Sequence, residues 1–145
     1  MSRMARCYLL EGQTGSESLR AAIRKSFPNL VTQAVDPRAV NNERLVEMVG
    51  EQTLEAVEGG TLLAQKPEVD LLMRLAGTTQ IARAIQEVGV KPGENFTLVV
   101  VGDEMDVARF ESSRASGWTR LPRHELDKSE LRRVERAALL NAEKA

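Results

Sequence analysis

Residues able to do chemistry are few in this chain and widely spaced. It has one cysteine, Cys7, and one histidine, His124. A serine or cysteine triad would have to use His124 as its base, yet this residue stands in the polar stretch Pro122-Arg123-His124-Glu125, where an exposed loop is expected. Cys7 lies in the apolar run Arg6-Cys7-Tyr8-Leu9-Leu10 and reads as a buried, inert thiol. One thiol and one imidazole supply neither an internal disulfide nor a structural zinc site. Gly12-Gln13-Thr14-Gly15-Ser16 joins an expected strand to an expected helix, where free backbone N–H groups and the helix dipole can hold a phosphate. No lysine follows Gly15, so the phosphate loop is incomplete and a tight turn with a helix cap accounts for the same residues. Asp103, Glu104 and Asp106 are oxygen ligands of the kind Mg²⁺ prefers, although capping of a helix start explains them more simply. Between Arg114 and Arg136 the chain carries Arg120, Arg123, Lys128, Arg132 and Arg133 as well, its one local basic patch. Arg132, Arg133 and Arg136 share a helix face with Glu130 and Glu135, the pattern of a solvated surface. Guanidinium is also the better bidentate phosphate donor, so phosphate contact is the functional reading of that face.

Composition narrows the remaining classes. The chain has 145 residues, with 20 Lys plus Arg against 21 Asp plus Glu and a formal charge of -1. That balance disfavours nucleic-acid binding by bulk electrostatics. Apolar residues make up 42% and aromatic residues 3%, so Leu, Val and Ala must build the core, and stacking of exposed bases on aromatic rings is not available as a main binding mode. No apolar run approaches the ~20 residues needed to cross a bilayer, and the start Met1-Ser2-Arg3-Met4-Ala5-Arg6 does not resemble a signal peptide, so a cytoplasmic protein is expected.

The elements that must position these residues follow from periodicity and punctuation. No repeat, low-complexity tract or linker interrupts residues 1–145, which read as a single domain. Ala5–Glu11 is an expected strand, and Thr14 and Glu17 have capping-box spacing before a helix carrying Leu19, Ala22, Ile23 and Phe27. Leu30–Val35 is a second strand, and Glu43–Glu58 a helix closed by Gly59-Gly60, with Gly50 inside it marking close packing or a break. Pro67 opens a helix that Gly77 closes, and Thr78 caps the next, where Ile81, Ala84, Ile85 and Val88 fall at helical spacing before Gly89. Phe96–Val101 is β-branched and apolar throughout, as a central strand covered on both faces would be. Asp103 caps a further helix, Trp118–Leu121 is a short edge strand, and a terminal helix starts near Lys128 behind an Asp127–Glu130 capping box, with Leu131, Val134 and Ala138 as its apolar face. The order predicts an α+β fold: a small mixed sheet of about four strands packed with a helical subdomain.

The stretch Asp70-Leu71-Leu72-Met73-Arg74-Leu75-Ala76-Gly77-Thr78-Thr79-Gln80-Ile81, continued by Ala84-Ile85 and Gly89, resembles one family motif. That motif is an acidic residue followed by L-L-x-x-x-[SA]-G-x-R-Q-I-x-x-A-I-x-x-x-G. It belongs to the kinase-binding accessory subunits of the KEOPS complex, the archaeal relatives of the human PRPK-binding protein. The strand Phe96–Val101 and the tail Val134-Glu135-Arg136-Ala137-Ala138-Leu139-Leu140 extend the likeness from Thr61 to the end, with a looser match over the first 60 residues. Thr79 departs from the motif, standing where the family usually has arginine. The resemblance implies a non-catalytic subunit without a cofactor. Its partners would be the atypical KEOPS kinase, the tRNA 3′ CCA end and, indirectly, the synthase subunit that makes threonylcarbamoyladenosine. Arg74, Arg83 and Lys91, near the motif, are then the expected tRNA contacts, ahead of the C-terminal arginines. The alternative expectation is a small phosphate- or nucleotide-handling enzyme built on the Gly12–Ser16 turn.

Overall fold

Alternation sorts the first strand onto two faces: Ala5 and Cys7 point one way, Tyr8 and Leu10 the other. The computed structural model describes residues 2–11, 15–91, 95–114 and 117–144. Ten elements run in the expected order: β1 (Arg3–Leu10), α1 (Ser16–Ser26), β2 (Val31–Val35), α2 (Glu43–Gly59), α3 (Pro67–Ala76), α4 (Ile81–Val88), β3 (Phe96–Asp103), α5 (Glu104–Ser113), β4 (Thr119–Arg120) and α6 (Lys128–Lys144).

The strands lie in the order β2-β3-β1-β4. The α+β class holds, but the expectation of a mixed sheet is corrected, because every pairing is antiparallel. Strands β1 and β2 run parallel to each other with β3 between them, and β3 and β4 likewise flank β1. The framework is therefore two interlocked split β-α-β units, a ferredoxin-like order. Strand β3 is central, as its unbroken apolar run predicts, and β4 is an edge strand of two residues.

Helices cover both faces of the sheet. On one face α1 and α5 bring Ile23, Val107 and Phe110 onto Tyr8, Phe96, Leu98 and Val100. On the other, the α2–α4 segment inserted between β2 and β3, together with α6, packs Leu45, Val49, Leu71, Ala84 and Leu140 against Cys7, Val99 and Val101. Gly50 brings α2 close against the sheet. A Cβ there would lie 2.8 Å from both methyl groups of Val101, so the helix stays unbroken and close packing is the reason for the glycine.

Local chemistry sets most helix ends. Asn42 accepts from the Arg44 backbone N–H at 3.1 Å to cap α2, and Asp103 accepts from that of Met105 at 2.9 Å to cap α5. The Asp127–Glu130 box forms in both directions, at 2.8 and 3.1 Å. Gly60 and Gly77 close α2 and α3 in the left-handed conformation, at φ 68° and 73°. Two expectations are corrected. Thr78 does not occupy the cap position of α4, which belongs to Gln80; its hydroxyl accepts from the Gln80 N–H at 3.1 Å and shapes the turn just ahead. In α6 the buried stripe is Glu130, Ala137 and Leu140, whereas Leu131 is exposed and Val134 only half-buried. The Thr14 half of the first capping box, and Gly12–Thr14 of the expected phosphate turn, lie outside the described residues. Gly15 caps α1 at φ 81° without a side-chain hydrogen bond.

Candidate functional site

The motif residues divide between the interior and one surface. Asp70 is fully buried at the junction of α2, α3 and α6, and its two oxygens accept four hydrogen bonds from three residues. The Thr53 hydroxyl donates to it at 2.6 Å and the Leu63 N–H at 2.9 Å, while the Arg74 guanidinium forms a fork at 2.8 and 3.2 Å. Arg74 is 2% exposed, and its remaining donors reach the Ala137 carbonyl at 3.0 Å and the Asn141 side chain at 2.8 Å. This corrects Arg74 as a tRNA contact: the guanidinium is buried, and each of its three nitrogens is hydrogen-bonded inside the protein. Leu71, Leu72 and Ala84 are also core, Thr78 and Gly89 are buried, and Gly77 makes the turn between α3 and α4.

The outward half of the motif faces a groove. Ile81 and Ile85 are 47% and 55% exposed on α4 although they continue the helix's apolar face. They border a cavity of about 440 Å³ between α1 and the α3–α4 pair, floored by Val69, Leu72 and Val90. Its rim is charged: Arg20 and Arg24 of α1, Lys66, Glu17 and Glu68, with Arg24 and Glu68 4.0 Å apart. The Nε of Arg20 is buried without a hydrogen-bond partner. Burial, then the neighbouring charge of Arg24, pushes the Arg20 guanidinium below its ordinary pKa. Thr79 is half-buried and Gln80 exposed at the mouth of the α3–α4 turn. Sequence reasoning missed Arg20 and Arg24. The signal was a like-charge pair at i, i+4 beside the apolar residues Leu19, Ile23 and Phe27, an arrangement that costs an isolated helix stability.

Arg83 and Lys91 stand at the surface. Arg83 is 62% exposed and paired with Glu87 at 2.8 Å, which raises its pKa. The Lys91 ammonium donates to the Gln86 carbonyl.

The C-terminal basic stretch is not one continuous patch. Arg120 is held by the fully buried Glu43 at 2.6 and 3.1 Å, and Arg6 lies 3.6 Å from the same carboxylate, which also accepts the Cys7 N–H at 3.1 Å. This network ties the short β4 to the sheet. Arg123 pairs with Glu47 at 2.9 Å, a bond that holds the Glu47 carboxyl below its ordinary pKa. Arg133 and Arg136 turn back onto the end of α3, donating to the carbonyls of Leu75 at 2.8 Å and Gly77 at 3.2 Å. Arg132 stays exposed.

The other candidate groups have structural roles. Asp103 is a helix cap, and Asp106 lies 3.7 Å from Arg109. The described residues hold no group of three His, Cys, Asp or Glu able to bind a metal ion. His124 is exposed and Cys7 buried, as expected. Among the described residues no helix is long and apolar enough to cross a membrane.

Compared with known proteins, the chain matches no family model and no curated protein.

Proposed function

We propose that this chain is a non-catalytic, cytoplasmic accessory subunit of a KEOPS-type complex, docking the atypical kinase through the α4 groove and helping to recruit tRNA by its 3′ CCA end. The observation that carries the reading is the division of the motif. Asp70, Leu71 and Leu72 are spent on the core, which makes the fold, whereas Ile81 and Ile85 are left on the surface where folding alone would bury them. Exposed aliphatic residues beside a half-apolar groove are the anatomy of a protein interface with a polar rim. Arg83 on α4 and Lys91 just after it stand at the surface and are the tRNA contacts of this reading. So few phosphate contacts give binding that weakens with salt along a shallow slope.

The test uses the full chain with the KEOPS kinase subunit of the same genome. The pair is expected to co-purify. Ile81→Asp combined with Ile85→Asp is expected to weaken the complex about tenfold or more, with the thermal midpoint of the free protein unchanged because both side chains are already exposed. Unaltered affinity of the double variant, or failure of the wild-type chain to bind, would overturn the docking role. Equal binding of intact tRNA and tRNA lacking its CCA end would overturn the recruitment role.

A further inference from the structure

A second surface lies where the end of α3 meets the first turns of α6. There a cavity of about 310 Å³ is lined by Ser129, Arg132, Arg133 and Arg136 against the backbone of Leu75–Gly77, with Arg74 behind. Two of the four guanidinium charges are neutralised within the chain, Arg74 by Asp70 and Arg136 by Glu143. The other two are not. Arg133 is half-buried and donates to the carbonyls of Ala39 and Leu75, both at 2.8 Å, which satisfies hydrogen bonds but supplies no counter-charge. Glu130, on the same helix, accepts its hydrogen bonds from the Asn42 side-chain amide at 3.3 Å and from the Asp127 N–H at 3.1 Å. Burial accordingly pushes the Arg133 guanidinium below its ordinary pKa, with Glu130 opposing the shift only in part. Arg132, at the cavity edge, is exposed and forms no ion pair among the described residues.

A partly desolvated guanidinium and a free one, lining one cavity with a hydroxyl beside them, leave positive charge there that Glu130 offsets only in part. The carbonyls at the end of α3, which would repel an anion, are already occupied by Arg133 and Arg136. We propose that this α3–α6 cleft is a binding site for a phosphoryl group, held by the forked donors of Arg132 and by the partly desolvated charge of Arg133, with the Ser129 hydroxyl beside them. Two oxygens of one anion suit the Arg132 fork, and the cleft, open to solvent on the Arg132 side, admits a phosphate on a chain as well as a free one. The inference does not rest on kinase docking. The cleft is built from α3 and α6, and loss of binding at Ile81 and Ile85 would leave it untouched.

The probes are a labelled single-stranded oligoribonucleotide without terminal phosphates, and inorganic phosphate as a competitor and as a ligand observed by NMR of the arginine side chains. Arg132→Ala is expected to lower oligoribonucleotide affinity about tenfold and to reduce the dependence of log K on log salt by about one. Arg132→Lys is expected to fall between the two, keeping charge without the fork. Arg109→Ala, on α5 across the sheet, is the control and should bind as wild type. Inorganic phosphate is expected to shift the Arg132 and Arg133 signals. Phosphate shifts without oligoribonucleotide binding would support the site with a free phosphoryl compound as its source. Absence of both, or wild-type affinity in Arg132→Ala with an unchanged thermal midpoint, would overturn the proposal.

Discussion

Asp70 shows how much one side chain decides in the helical layer. Its carboxylate joins α2 through Thr53, the approach to α3 through Leu63, and α6 through the arginine that Asp70 itself holds. A buried pair of this kind adds little over a well-packed apolar replacement, yet removing one partner strands the other charge in the interior. Asp70→Asn is therefore expected to lower stability by about 3–5 kcal/mol in urea unfolding, a large part of the margin available to a domain of this size. A double variant with Arg74→Met is expected to cost less than the two single losses added together. Additive losses would show that the two residues act independently. Most other charged groups behave as surface pairs, among them Arg3 with Glu58 at 2.8 Å and Arg83 with Glu87, and contribute little each.

Among the elements, α2 is held at a close distance from the sheet by Gly50 against Val101. Glycine inside a helix costs about 1 kcal/mol relative to alanine, so Gly50→Ala would stabilise α2 if the helix stood alone. Against β3 the added methyl has no room, because the Val101 methyls lie at 2.8 Å and that strand is covered on both faces. Overpacking of this kind typically costs about 1–3 kcal/mol. The net expectation is a loss of stability, partly recovered when Val101→Ala is added to make space. A gain in stability for Gly50→Ala would mean that α2 can lift from the sheet at little cost.

The whole molecule is one sheet shielded on both sides, and Cys7 reports on its integrity. The thiol sits in β1 beneath α2, buried, and its pKa is raised well above the ordinary value by burial and then by the Glu43 carboxylate. Reaching it requires opening of the layer that contains α2. Labelling by a thiol reagent is expected to be slow in the native protein, with a rate that follows the population of the globally unfolded form across a urea series. Rapid labelling without denaturant would indicate that the helical layer detaches by local opening. The two proposed surfaces lie at separate places, the groove between α4 and α1 for docking and the cleft between α3 and α6 for the phosphoryl group, so the two can be disabled one at a time.

Much of the fold was legible in the residues themselves, because caps, glycine ends and apolar runs act over a few positions. The order of elements, the central strand at Phe96, the Asp127–Glu130 box and the buried Cys7 all follow from such local rules, whereas Gly50 by itself left close packing or a break open, and Val101 against it decides for packing. Pairing direction did not, since it depends on which distant strands meet, and four strands of the same composition can form a mixed or an antiparallel sheet. The phase of α6 was misread because charged side chains occupy part of its inner face, Glu130 and Arg133, where their partners belong to other elements. Asp70–Arg74 and Arg83–Glu87 have the same i, i+4 spacing and charge types; one is buried and the other exposed. Only tertiary packing separates them, because spacing tells which side chains meet on a helix and nothing about what comes to lie over them.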